Sequence, residues 1–153
     1  MDPMGLPVNS RCSIARSLGV LGQKWALLIL REALRGRTRF ADFHRIGVPT
    51  EALSTRLGEL VDAGLLERRP YRLDGERTRD EYVLTDAGRD VVLVMGALSA
   101  WSDAHQPLEG GPYVAYRRAS DGVRVRVRFV DDAGVAVDPS EVVLSRPAER
   151  ASE

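Results

Sequence analysis

Between Pro49 and Ala63 the apolar residues Leu53, Leu57, Leu60 and Val61 recur three and four positions apart, while Thr50, Glu51, Ser54, Thr55, Arg56 and Glu59 fall on the opposite side. That spacing predicts an amphipathic helix with one buried and one polar face. Ala63-Gly64 ends it, because glycine accepts the left-handed conformation that helix C-termini commonly need. Upstream, WALLILREAL is apolar nearly all round from Trp25 to Leu30, which predicts a core helix starting near Gln23 and surrounded by other elements. A helix before it, beginning close to Cys12, is expected to turn Ile14 and Leu18, with Leu21, inward. RGRTRF breaks the core helix, ADFHRI supplies a short third one, and GVP is a tight connection into the helix at 49–63. Helix, short turn and a second helix with a more polar face is a helix-turn-helix arrangement.

After Gly64, LLERRPYR and RDEYVLT read as two strands around LDGERT, whose Asp74-Gly75 pair is a turn signal, so a β-hairpin with a charged tip is predicted. Thr85 is a good N-cap and Asp86 complements a helix dipole, so a long last helix should run from there to about His105. Its residues Val91, Val92, Leu93, Val94, Met95, Leu98 and Trp101 cover more than one narrow stripe, more than one small domain can bury. Beyond QPLEGGP the stretches YVAYRR, VRVRVRFV and EVVLS alternate apolar and polar residues between turn signals, which predicts a small antiparallel β appendage. The expected organisation is a loose arm at 1–10, a helical domain with its hairpin at 11–105, a β extension at 106–145 and a disordered tail at 146–153. The fold class is α+β, mainly α.

Composition narrows the function more than the fold. With 153 residues, 44% hydrophobic and 29% charged, the chain fits one ordinary globular core. No run approaches the roughly 18 apolar residues of a membrane span, and MDPMGLPVNSR lacks the order of a signal peptide, so a cytoplasmic protein with no membrane partner is expected. A single cysteine and two distant histidines, His44 and His105, supply neither an intrachain disulfide nor a metal motif, and no cofactor is expected. No catalytic triad, Gly-rich phosphate loop or dinucleotide fingerprint is present, which argues against an enzyme. The net charge is zero, yet its distribution is uneven: residues 31–79 hold 11 Arg against 8 acids, whereas 121–153 hold 5 Arg against 7 acids.

A polar-faced helix followed by a basic hairpin has a physical use on DNA. The major groove admits one α-helix whose side chains reach base edges, and a neighbouring hairpin can set Arg on phosphates. The residues carry a resemblance as well. CSIARSLGVLGQKWALLILREALRGRTRFADFHRI, ALSTRLGELVDAGLLERR and RTRDEYVLTDAGRD closely resemble the HxlR family of MarR-like winged helix-turn-helix regulators, over about residues 11–105. The specific matches are Cys12 before a short helix, G-x-K-W at Gly22 to Trp25, L-S-x-R-L at Leu53 to Leu57, and E-Y-x-L-T-x-A-G at Glu81 to Gly88. Ser13 stands where members often have Pro, and Gln23 where they often have Asp. The resemblance implies a homodimer built by the terminal helices, with two recognition helices reading two half-sites of a palindromic operator in double-stranded DNA.

The candidate base-reading residues are therefore Thr50, Glu51, Ser54, Thr55 and Arg56, although a surface helix facing water would show the same pattern. In the wing, Arg72, Arg77 and Arg79 are candidate phosphate contacts; the competing reading pairs them with nearby acids. Ile14, Leu18, Val94, Leu98 and Trp101 are the candidate dimer interface. Cys12, at a helix N-terminus with Arg11 adjacent and Arg16 one turn away, is either a small buried hydrophobe or a reactive thiol. Several HxlR-type regulators sense quinones, aldehydes or oxidants through a cysteine in this position. The expected function is a sequence-specific transcriptional regulator, a repressor, controlled at Cys12 or by a small-molecule inducer; the alternative is a winged-helix module that binds other proteins.

Overall fold

A computed structural model of the chain describes residues 12–144; the expected arm at 1–10 and tail at 146–153 lie outside them. Helix α1 (Ser13–Leu21) starts at Cys12, whose Sγ accepts the Ala15 N–H at 3.5 Å and so serves as the N-cap. Helix α2 (Ala26–Leu34) begins after a turn at Gln23, and it buries Ala26, Ile29, Leu30 and Ala33 at helical spacing. Short α3 (Phe40–His44) and longer α4 (Thr50–Asp62) add Phe43, Leu53, Leu57 and Leu60, with Val48 from the turn between them. With Leu66, Val91 and Met95 further along the chain, these residues form the core. Contrary to expectation, α1 sends none of its side chains into it: Ile14 is 64% exposed and Leu18 39%. Only Cys12, Ala15 and Leu21 of this segment are half-buried, so α1 rests on the domain by one narrow edge.

The end of α4 explains the position of the wing. Gly64 has φ +74°, the N–H of Leu65 donates to the Leu60 carbonyl and that of Gly64 to Val61, the double bond pattern that satisfies the last carbonyls of a helix. The chain leaves directly into β1 (Leu66–Tyr71), which pairs antiparallel with β2 (Arg79–Leu84) in the register Leu66 to Leu84 through Tyr71 to Arg79. On its other side β2 meets the α2–α3 connection: Tyr82 N–H donates to the Thr38 carbonyl at 2.7 Å, and Arg39 bridges Glu81. β1 is thus an outer strand, where Pro70, which has no N–H, is tolerated.

Thr85 then ties β2 back to the end of α4. Its hydroxyl donates to the Gly64 carbonyl at 2.6 Å, its N–H to the Leu65 carbonyl at 3.1 Å, and its oxygen caps helix α5 (Asp86–Asp90) by accepting the Gly88 N–H. A Cβ on Gly88 would collide with the Leu65 carbonyl and lie 2.9 Å from Leu84 Cδ2, so glycine is required by proximity rather than by dihedral angle. The single long helix expected here is two, α5 and α6 (Val92–His105). At Val91 the N–H donates to the Arg89 carbonyl instead of one four residues back, which interrupts the ladder for one residue.

The chain divides into two compact units between Met95 and Gly96, inside α6. The second holds the rest of α6, a tight hairpin in which Val125 N–H donates to Tyr116 and Arg118 N–H to Val123, and the two-residue strands β3 (Phe129–Val130) and β4 (Ala136–Val137). The β appendage is much less regular than the alternation predicts. The described part of EVVLS, residues 141–144, forms no strand: Asp138 caps Ser140, Pro139 starts a 3-10 turn over Pro139–Glu141, and the chain continues as coil to Leu144. YVAYRR contributes one isolated bridge, Arg117 to Arg124. Alternation marks a strand with one apolar face, but a long ladder also needs something to cover that face, and here Phe129, Val130 and Val135 are more than half exposed.

The Thr85–Gly88 junction is directly testable. Gly88→Ala should destabilise the fold by about 1–3 kcal/mol, since backbone must move to admit the methyl group. Thr85→Ala should cost about 0.5–2 kcal/mol through the lost cap, with Thr85→Ser recovering most of it. Urea unfolding followed by circular dichroism measures both; a Gly88→Ala protein as stable as wild type would show that α5 does not depend on a close approach to Leu65.

Candidate nucleic-acid interface

The polar face of α4 is exposed at Thr50, Glu51, Ser54 and Thr55, because Leu53, Leu57 and Leu60 hold the helix down from the other side. Pro49 is its N-cap and offers no side-chain acceptor, so the first-turn N–H groups, at the positive end of the helix dipole, lack a side-chain cap. Thr50 Oγ1 lies 3.2 Å from His44 Nε2, which joins the N-terminus of α4 to the end of α3. Thr55 donates its hydroxyl to the Glu51 carbonyl one turn back and keeps its lone pairs outward. Arg56 differs from the others: its guanidinium is engaged by Glu59 and is only 20% exposed. The five residues share one helix, but one of them arrives already paired.

The wing shows the same division between tied and untied arginines. Arg72 Nε donates to the Glu76 carbonyl at 2.9 Å and Arg79 pairs with the Glu76 carboxylate at 3.2 Å, so the hairpin tip is organised around Glu76. Arg68 pairs with Asp80 at 3.8 Å and Arg69 with Glu67 at 3.2 Å. The hydrogen bond and charge of Glu67 hold the Arg69 guanidinium even more firmly protonated than usual. Aromatic faces brace the strands: Arg39 lies 4.8 Å over Tyr71, Arg68 lies 5.7 Å over Tyr82, and Tyr82 meets Phe43 edge-on at 6.5 Å. Among the described residues Arg77 alone of the hairpin arginines has no ion pair, hydrogen bond or ring contact.

Cys12 is half-buried and its thiol is free. Arg16 directs one nitrogen to Ser13 Oγ at 3.2 Å, and Arg11 lies outside the described residues. Of the remaining candidates, Val94, Leu98 and Trp101 stand exposed on α6, at 41%, 50% and 58%.

A family model described as HxlR-like helix-turn-helix matches residues 20–109. The chain belongs to that family. Its sequence is similar to the uncharacterized HTH-type transcriptional regulator Rv3095 of Mycobacterium tuberculosis, 41% identical over 119 residues that cover 77% of this chain and 74% of that protein. In structure it is similar to PA1607, with TM-score 0.77 and 28% identity, over 91% of this chain and 97% of that one. It is also similar to the redox regulator HypR in its reduced form, with TM-score 0.56 and 26% identity, over 62% of this chain and 94% of that one. An HxlR-like chain is a helix-turn-helix transcriptional regulator, a DNA-binding protein, and no described helix is long and apolar enough to cross a membrane.

Two members of the candidate interface escaped the sequence reading. His44, weighed in the sequence only as a metal ligand, is exposed, stacks on Phe40 and reaches Thr50 across the turn. Arg39 is not singled out, because nothing in RGRTRF announces that its guanidinium will lie over a wing tyrosine 32 positions later. The Arg56–Glu59 tie, by contrast, is visible in sequence as opposite charges one turn apart.

Proposed function

We propose that this regulator is a homodimeric repressor whose α4 helices read two half-sites of a palindromic operator while the wings hold flanking phosphates. The observation that carries the reading is the accessible hydroxyl face of α4 beside a wing arginine without an internal partner. Thr50, Ser54 and Thr55 can donate to or accept from base edges, Glu51 can accept from a cytosine amino group, and the uncapped first turn of α4 suits a phosphate. Arg56 reads a base only by exchanging Glu59 for it. Arg77 is the leading phosphate contact, with Arg72 and Arg79 positioned beside it through Glu76. Ile14 and Leu18 on α1 and Val94, Leu98 and Trp101 on α6 are the faces we assign to the second copy, and two-fold symmetry would then space the recognition helices by about one DNA turn, roughly 34–36 Å. The ion pairs of Arg68, Arg69 and Arg79 favour the alternative, a winged-helix module for protein partners, because they cancel much of the wing's charge.

Salt and sequence separate the two. A DNA regulator should bind a palindromic site from its own promoter far more tightly than random duplex, with affinity falling steeply as salt rises. Thr55→Ala or Arg56→Ala should change preference at particular bases by about 1–3 kcal/mol, whereas Arg77→Ala should weaken every sequence alike and flatten the salt slope by about one unit. Weak and equal binding to all duplexes would overturn the reading, and identical behaviour of the two classes of variant would overturn the division between helix and wing.

Control at Cys12 is the second part of the proposal. The half-buried thiol is unbridged, caps α1 and adjoins the helix whose apolar residues we assign to the dimer; a structural neighbour, HypR, is a redox regulator. With one cysteine in the chain, oxidation leads to a disulfide with the partner copy, a mixed disulfide with a small thiol, or higher oxides, and an electrophile can alkylate the sulfur. Treatment with diamide or a quinone should release operator from wild type while Cys12→Ser stays bound. Equal loss in both proteins, or loss in neither, would make Cys12 structural.

A further inference from the structure

The second unit encloses an open cavity of about 830 Å³ that neither DNA reading nor Cys12 uses. It falls within the size range of sites for drug-sized ligands, roughly 300–1,000 Å³. Its origin lies in α6. A Cβ on Gly96 would come within 2.6 Å of Val127 Cγ2, so the segment leading into β3 approaches the helix closely there. Further along α6, Ala100 and Ala104 present only methyl groups, and the space they leave stays unfilled. Val125, Val127, Phe129 and Val137 line the other side, each partly exposed within the chain. At one wall Tyr116 and Ser99 satisfy each other through a 3.0 Å hydroxyl contact.

The charge around this apolar space is one-sided. Arg124, Arg126 and Arg128 line it against a single carboxylate, Asp103. Arg128 has Asp138 in its field, but among the described residues the side chains of Arg124 and Arg126 make no ion pair or hydrogen bond. Arginines elsewhere in the same unit do find acids; Arg118, for instance, binds Asp121 through two nitrogens. An apolar cleft with two uncommitted guanidinium groups is complementary to a molecule with a hydrocarbon or aromatic body and one carboxylate, which a guanidinium can grip with two parallel hydrogen bonds.

We propose that this cleft is a binding site for a hydrophobic monocarboxylate. The inference rests on the regulator reading only in that Trp101, assigned above to the second copy, also lines the cleft. The test uses the full chain and three probes of equal chain length, octanoate, octanol and octyltrimethylammonium, by titration calorimetry at physiological salt. Octanoate should bind once per chain and about tenfold more tightly than either other probe, the discrimination expected of a charge-assisted hydrogen bond. Ala100→Trp, which fills the cleft, should abolish binding, and Arg126→Glu, a surface change that leaves folding intact, should weaken octanoate at least tenfold while leaving octanol unaffected. Equal affinity for the three probes, or octanoate binding that survives Ala100→Trp, would overturn the site. So would a cleft occupied by a second copy, seen as no octanoate binding together with an Ala100→Trp variant that sediments as a smaller species. Operator affinity without octanoate is measured in parallel: its absence defeats the regulator reading alone, and its presence in a protein that ignores octanoate defeats the site alone.

Discussion

The carbonyls of Gly64 and Leu65 are the point on which the DNA-binding unit depends. The chain's own N–H groups satisfy the last carbonyls of α4, and the next two carbonyls, just past its C-cap, are taken by Thr85, about twenty residues further on. Because the same threonine closes β2 and opens α5, three elements are fixed by one side chain. Gly88 lets the backbone of α5 come against Leu65, where any side chain would hold it off. The angle between α4 and the wing, which decides whether helix and hairpin can engage one duplex together, therefore rests on these hydrogen bonds together with the burial of Leu66 at the start of β1.

The electrostatics of the unit follow from how its arginines are spent. Most are held by acids close in sequence, Arg56 by Glu59, Arg69 by Glu67, Arg79 by Glu76, and pairs at the surface add little stability because water screens them. Their effect is to hold side chains in place and to limit unspecific attraction to polyanions. A binding surface with few free charges and several hydroxyls discriminates among sequences more than it gains affinity for DNA as such.

The segments legible in the sequence were those whose partners are near. The period of α4, its stop at Gly64, the Asp74-Gly75 turn and the cap at Thr85 are all local signals, and each stands where expected. What the sequence did not disclose depends on distant surfaces. Ile14 and Leu18 read as inward-facing, but periodicity says only that a helix has an apolar side, not whether the same chain covers it. The valines of VRVRVRFV read as strand for the same reason, and the ladder shrinks to β3 and β4 where no second layer lies over it. In the candidate site, helix and wing were found by pattern, whereas the link from His44 to Thr50 and the stacking of Arg39 on Tyr71 required the folded chain.

Pro70 on the outer strand of the wing bears on a hazard that accompanies so much uncovered apolar surface. An unpaired strand edge is a template on which further strands from other molecules can add without limit, and a chain that exposes valine-rich segments is prone to it. β1 presents Glu67, Arg68 and Arg69 along that edge and then removes a donor at Pro70, so an incoming strand meets charge and a missing hydrogen bond. Growth by sheet extension is disfavoured at the wing, whereas the two-fold pairing proposed for the faces of α1 and α6 would close on itself and stop.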